Sequence, residues 1–180
     1  MDRARQLMGE MLIYCYVLVL LTGGYLAFSY VPSGETVAYT GIYEPLRGVR
    51  MSAAYHSILD ISFDVRGGLL ARQLHHRLQI LLALGTVVWA LLGRYRYALL
   101  VLGLAGVAAV GGYGSADDLL SATFLARVPI PVWYGLHLLA ALAVGAVLVI
   151  SSRREAARQP RTAGFVALSL GLTAVLLLWS

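Results

Sequence analysis

The chain has 180 residues, 59% of them hydrophobic and 13% charged, and its net charge of +5 comes from fourteen arginines with no lysine. An ordinary soluble domain is about 25% charged, so a soluble fold is excluded, and the arginines flank apolar runs rather than forming a nucleic-acid face. The one cysteine, Cys15, excludes an internal disulfide and any cysteine-held metal cluster within this chain.

The first apolar segment, residues 11–30, reads "MLIYCYVLVLLTGGYLAFSY" and carries no charge. It exceeds the roughly 7–15 residues of a secretory h-region and lacks a clean cleavage site, so it is expected to be a retained membrane span. Residues 31–67 form a long connection. Its first half is turn-rich; its second half, "SAAYHSILDISFDVRGG", brings Ile58, Ile61, Phe63 and Val65 together and predicts a short amphipathic helix on the outer surface.

The second span is expected at 69–92. Its apolar part, 78–92, is long enough to cross only if it includes "RQLHHR". The third span covers about 97–114 and contains "VGGYG"; Asp117 and Asp118 follow it. The fourth covers 130–151 and holds one histidine, His137. The fifth, 163–179, has no polar site and serves anchoring or subunit contact. The whole is one all-α membrane domain with five spans. The arginine bias puts Arg3, Arg5, Arg94, Arg96, Arg153, Arg154, Arg158 and Arg161 inside. That predicts a multi-pass plasma (inner) membrane protein with a cytoplasmic N-terminus and an extracytoplasmic C-terminus.

The intramembrane histidines are the chemical signal. His75 lies seven residues after Gly68, and His137 six after Pro131. At about 1.5 Å per residue both sit roughly 9–11 Å below the outer surface. Two imidazoles at matching depth on different helices suit a bis-histidine metal centre, and imidazole is a common haem-iron ligand. Gly23 in the first span and Gly112 in the third would admit a flat ligand at the same level. Arg72, one turn before His75, is placed for a haem propionate. Helix packing alone also accounts for such glycines, and a hydrogen bond to a neighbouring helix for such a histidine. His76 points about 100° away from His75 and is the fallback ligand. Tyr113 is a candidate contact for a haem edge or quinone.

"AYHSILDISFDVRGGLLARQLHH", residues 54–76, resembles a run in the N-terminal half of cytochrome b, the four-helix haem-bearing part of bc1 and b6f complexes. Ala54, Tyr55, Ser57, Asp64, Val65, Gly68, Arg72 and His75 carry the match. "LTGGYLAFSYVPS", "GGY" at 111–113 and "WYGLHLL" resemble the ends of the family's first and third helices and the opening of its fourth. The resemblance implies a four-helix haem bundle plus a fifth transmembrane helix. It selects His75 over His76 as an iron ligand, with His137 as the other.

The departures from the family are specific. It binds a second haem through histidines one haem-length further along two helices. Here Trp89 stands fourteen residues after His75, and Ile150 and Ser151 stand thirteen and fourteen after His137. The quinol-oxidation segments are largely absent. The resemblance therefore implies a single haem b, near the outer face, in a subunit that is not itself catalytic. It would pass electrons between the quinone pool and an extracytoplasmic partner subunit of a membrane redox complex. The alternative is a haem-free anchor or assembly subunit on the same scaffold; a small transporter lacks the interrupted helices that mark a substrate site.

Overall fold

The structure, a computed structural model, describes residues 2–117, 123 and 127–179. Asp118, singled out above, lies outside them. The protein is an all-α membrane protein. Among the described residues, four helices are long and apolar enough to cross a bilayer: α1 (Asp2–Ala27), α3 (Gly68–Trp89), α4 (Tyr95–Ala116) and α5 (Ile130–Arg158). A shorter helix, α2 (Ala53–Phe63), precedes α3, and the apolar α6 (Ala163–Trp179) follows α5. At about 1.5 Å per residue, the 17 residues of α6 extend only about 25 Å, less than the four longer helices. A π-helical stretch, Ala90–Arg94, links α3 to α4 and turns at Gly93 with φ of 99°.

Two compact units share these helices. The first comprises Met1–Leu20, His75–Ala105 and Ala141–Ser180; the second comprises Leu21–Leu74 and Gly106–Ala140.

The first unit has an apolar middle and a polar end. Leu12, Cys15, Tyr16 and Val19, spaced three and four apart, line one face of α1 and pack with Leu78, Leu82, Trp89, Val101, Val144 and Leu148. The polar end explains why α1 begins at Asp2, about nine residues before its apolar run. Glu10, almost fully buried, accepts hydrogen bonds from Ser152 Oγ at 2.7 Å and from Arg161 Nε and Nη2 at 2.9 and 2.8 Å. Arg5 Nε donates to Glu155 at 2.8 Å, and Gln6 Nε2 to the Gln159 carbonyl at 2.7 Å. A buried carboxylate is tolerated only when paired. These partners on α5 and its following linker make a polar first turn of α1 stable.

The second unit holds the long connection. Thr36–Ala38 (β1) pairs antiparallel with Arg50–Ser52 (β2), Val37 opposite Met51. Ser52 then caps α2, its hydroxyl accepting from the Tyr55 N–H at 3.1 Å. A short helix is present where one was expected, and α2 buries Ala54, Ser57, Leu59 and Ile61. Phe63 alone of its expected apolar set is well exposed, and it stacks on Tyr43 at 4.7 Å. Ser57 is central: its Oγ donates to the Ala54 carbonyl at 2.8 Å and accepts from the Val31 N–H at 3.1 Å. The chain then turns sharply at Gly67 (φ 76°) and Gly68. A Cβ on Gly68 would overlap the Ile61 carbonyl oxygen, so only glycine lets α3 start against the end of α2.

Candidate haem-ligand histidines

The Gly68 corner fixes where α3 begins, and therefore the height of His75. His75 is the eighth residue of α3, and His137 is the eighth residue of α5. Each is thus about 10.5 Å from the start of its helix.

Each ring is held by a backbone carbonyl of a neighbouring helix. In the first unit, His75 Nδ1 lies 3.1 Å from the Val19 carbonyl oxygen of α1. In the second unit, His137 Nδ1 lies 2.7 Å from the Ala108 carbonyl oxygen of α4. A carbonyl oxygen only accepts, so each neutral ring must carry its proton on Nδ1. The lone pair then sits on Nε2, the atom a haem iron would take. Both rings are half-buried, whereas His76 and Arg77 are exposed. His56 belongs to a different arrangement: its Nδ1 is 2.9 Å from Asp60 Oδ2, and its Nε2 accepts from the Thr40 N–H at 3.4 Å.

Close packing of α4 on α5 creates the His137 contact. A Cβ on Gly111 would stand 2.9 Å from the His137 backbone nitrogen and 3.0 Å from the Trp133 carbonyl oxygen. A Cβ on Gly112 would lie 3.1 Å from the imidazole Nδ1 of His137. Tyr113, the next residue, is exposed. Asp117 ends α4 in the left-handed conformation, φ 53°. Gly23 is a half-buried residue of α1.

Arg72 is half-buried, and its Nη1 donates to Ser62 Oγ at 3.0 Å, which ties α3 to the end of α2. Nearby, Tyr30 donates to the Ser115 carbonyl at 2.6 Å and lies 5.0 Å from the Tyr134 ring. Burial pushes its phenol up to about 12. Hydropathy could not reveal the Tyr30–Ser115 bond, because each partner alone is an ordinary residue at a helix end.

Trp89 and Ser151, at the positions where the resemblance would place a second pair of ligands, are both fully buried in the first unit. The Trp89 indole packs over Gly9 of α1, its Nε1 3.5 Å from where a Cβ would be. Neither Trp89 Nε1 nor Ser151 Oγ has a hydrogen-bond partner among the described residues. Among those residues no group of three or more His, Cys, Asp or Glu could hold a metal ion. A centre with two histidine ligands needs no such group.

No family model matches the chain. It is similar to curated proteins named cytochrome bc1 complex cytochrome b subunit. The Mycobacterium tuberculosis protein (strain ATCC 25618 / H37Rv) is 43% identical over 127 residues, covering 64% of this chain and 23% of that protein. The Streptomyces coelicolor protein is 42% identical over 131 residues, covering 65% and 24%. The Corynebacterium efficiens protein is 36% identical over 157 residues, covering 79% and 27%. The chain spans about a quarter of the length of these relatives and matches their N-terminal portion.

Proposed function

We propose that this chain, a relative of the N-terminal portion of cytochrome b, is a b-type cytochrome subunit of a membrane redox complex. It holds one haem b through His75 and His137, near the outer face. The observation that carries this reading is the shared state of the two histidines: each sets its Nδ1 against a helix carbonyl, the tautomer in which Nε2 bears the ring lone pair. Haem b supplies a one-electron Fe(III)/Fe(II) couple when bound.

The remaining roles belong to the chain's own side chains. His75 and His137 bind, with their orientation set by Val19 and Ala108. Arg72 is the cation for a propionate, and its bond to Ser62 holds the guanidinium near the start of α3. Gly23, Gly112 and Tyr113 are further candidate contacts. Trp89 and Ser151 support a single haem, since neither is a ligand type suited to a second low-spin iron and the indole fills its own space. With one redox centre, the subunit exchanges electrons at the outer face, between the quinone pool and an extracytoplasmic subunit docked on the connection before α3. The first unit gathers Arg3, Arg5, Arg154, Arg158 and Arg161 at the polar ends of α1 and α5, which supports a cytoplasmic location for that end.

The purified full chain, expressed with ample haem supply, is expected to show a low-spin bis-histidine haem b spectrum at one haem per chain. A colourless protein would instead point to a haem-free anchor on the same scaffold. A stoichiometry of two would overturn the single-haem reading.

A further inference from the structure

Both carbonyls that hold the histidines stand in one register to a glycine. Ala108 lies four residues before Gly112, and Val19 four residues before Gly23. In an α-helix the carbonyl of residue i accepts the N–H of residue i+4. The side chain of residue i+4 tilts back toward the helix N-terminus, over that same carbonyl. The oxygen's second lone pair is therefore open to a neighbouring ring only where residue i+4 is very small. At Gly112 the distances bear this out. His137 Nδ1 reaches the Ala108 oxygen at 2.7 Å, while a Cβ on Gly112 would stand 3.1 Å from that nitrogen and 3.3 Å from Cε1.

We propose that Gly112 is a positioning residue for His137: it opens the second lone pair of the Ala108 carbonyl to the imidazole Nδ1–H and so sets the tautomer whose Nε2 is the iron ligand. Gly23 stands in the same register to His75. The inference rests on the haem-ligand role proposed for these histidines, and it gives the glycine a task other than making room for the porphyrin. A hydrogen bond on Nδ1–H raises the basicity of the ligating imidazole. A more basic ligand favours Fe(III) and lowers the reduction potential. Loss of the bond therefore raises the potential, and loss of an outer partner of this kind weakens metal binding roughly 10–100-fold.

Two measurements on the full chain in detergent test this. The first takes ¹⁵N spectra of histidine-labelled protein before haem is added, with His137 assigned by difference from His137→Gln. The expected result is a protonated Nδ1 and an unprotonated Nε2; the opposite tautomer overturns the proposal. The second adds haem b to the wild-type chain, to Gly112→Ala and to Gly103→Ala, followed by redox titration. A Cβ at Gly103 would meet nothing within 4 Å, so this variant controls for adding a methyl group to the same helix. Gly112→Ala is expected to bind haem at least tenfold more weakly and to titrate at a more positive potential than Gly103→Ala. Identical affinity and potential in the two variants overturn the proposal. Should Gly112→Ala fail to insert, the wild-type tautomer decides alone. A wild-type chain that takes up no haem overturns the haem-ligand reading, whereas uptake with the wrong tautomer overturns only the role of Gly112.

Discussion

Arg161 donates two hydrogen bonds to one oxygen of Glu10, across 151 positions of sequence, and Ser152 donates a third to the same atom. Glu10 is buried, while the Arg161 side chain is about one-third exposed. Glu10→Ala is therefore expected to cost about 1.5–3 kcal/mol, the range for a hydrogen bond to a charged group, with the exposure of Arg161 moderating the loss. Thermal unfolding in detergent checks it. The pair Glu10→Ala with Arg161→Ala should lose less than the two single changes added together.

His75→Ala and His137→Ala should each abolish the low-spin haem spectrum while leaving the chain inserted. Retention of a full bis-histidine spectrum in either variant would remove that residue from the ligand set.

Gly68→Ala places a methyl group on the Ile61 carbonyl oxygen at the corner that starts α3. Relief requires a shift of that corner, at a cost of about 1–3 kcal/mol. The expected outcome is a lowered unfolding temperature together with reduced haem occupancy, because the corner sets the height of His75. A loss of stability with full haem occupancy would show that the corner does not position the ligand.

Trp89→Ala empties the space over Gly9 in the first unit and is expected to destabilise by about 3–5 kcal/mol. The haem spectrum should keep its low-spin signature, since Trp89 holds no part of the proposed centre. Spectral change at unchanged stability would contradict that separation.

Tyr30 gives a pH signature. Burial favours the neutral phenol, with its folded-state value pushed up to about 12, while an unfolded tyrosine ionises near about 10. Its contribution to stability is complete below about pH 10 and is lost as pH rises through about 12. Tyr30→Phe should thus weaken the fold at about pH 9 and show a smaller further loss at about pH 11.5 than the wild type. Parallel losses in the two proteins would count against a buried, hydrogen-bonded Tyr30.

Uncharged runs of sufficient length were enough to expect membrane helices, because desolvation of the backbone demands local hydrogen bonding whatever the partner. Residue types made the motif around residues 54–76 legible, with Ser57 bonding back to Ala54 and Gly68 seated against Ile61, but not the long-range partners Val31 of Ser57 and Val19 of His75. The polar start of α1 was not legible. The first span was expected to start at residue 11, and the partners that draw Arg5, Gln6 and Glu10 into α1, namely Glu155, Gln159 and Arg161, lie some 150 residues away on α5 and its following linker. The strands Thr36–Ala38 and Arg50–Ser52 were hidden for a related reason: three-residue strands carry too little alternation to register as a pattern. Gly112 was noticed as a glycine, but its imidazole neighbour depends on how α4 and α5 pack, which spacing within one helix does not encode.

The bond between Glu10 and Arg161 also sets an order of events at the ribosome. The two partners are made 151 residues apart. At about 5–20 residues per second the wait is about 8–30 s. Throughout that interval Glu10 is without its Arg161 partner, and the polar start of α1 is undocked from α5 and its following linker. Closure of this polar cluster therefore waits for α5 and its following linker, and a nascent chain released before residue 161 cannot complete it.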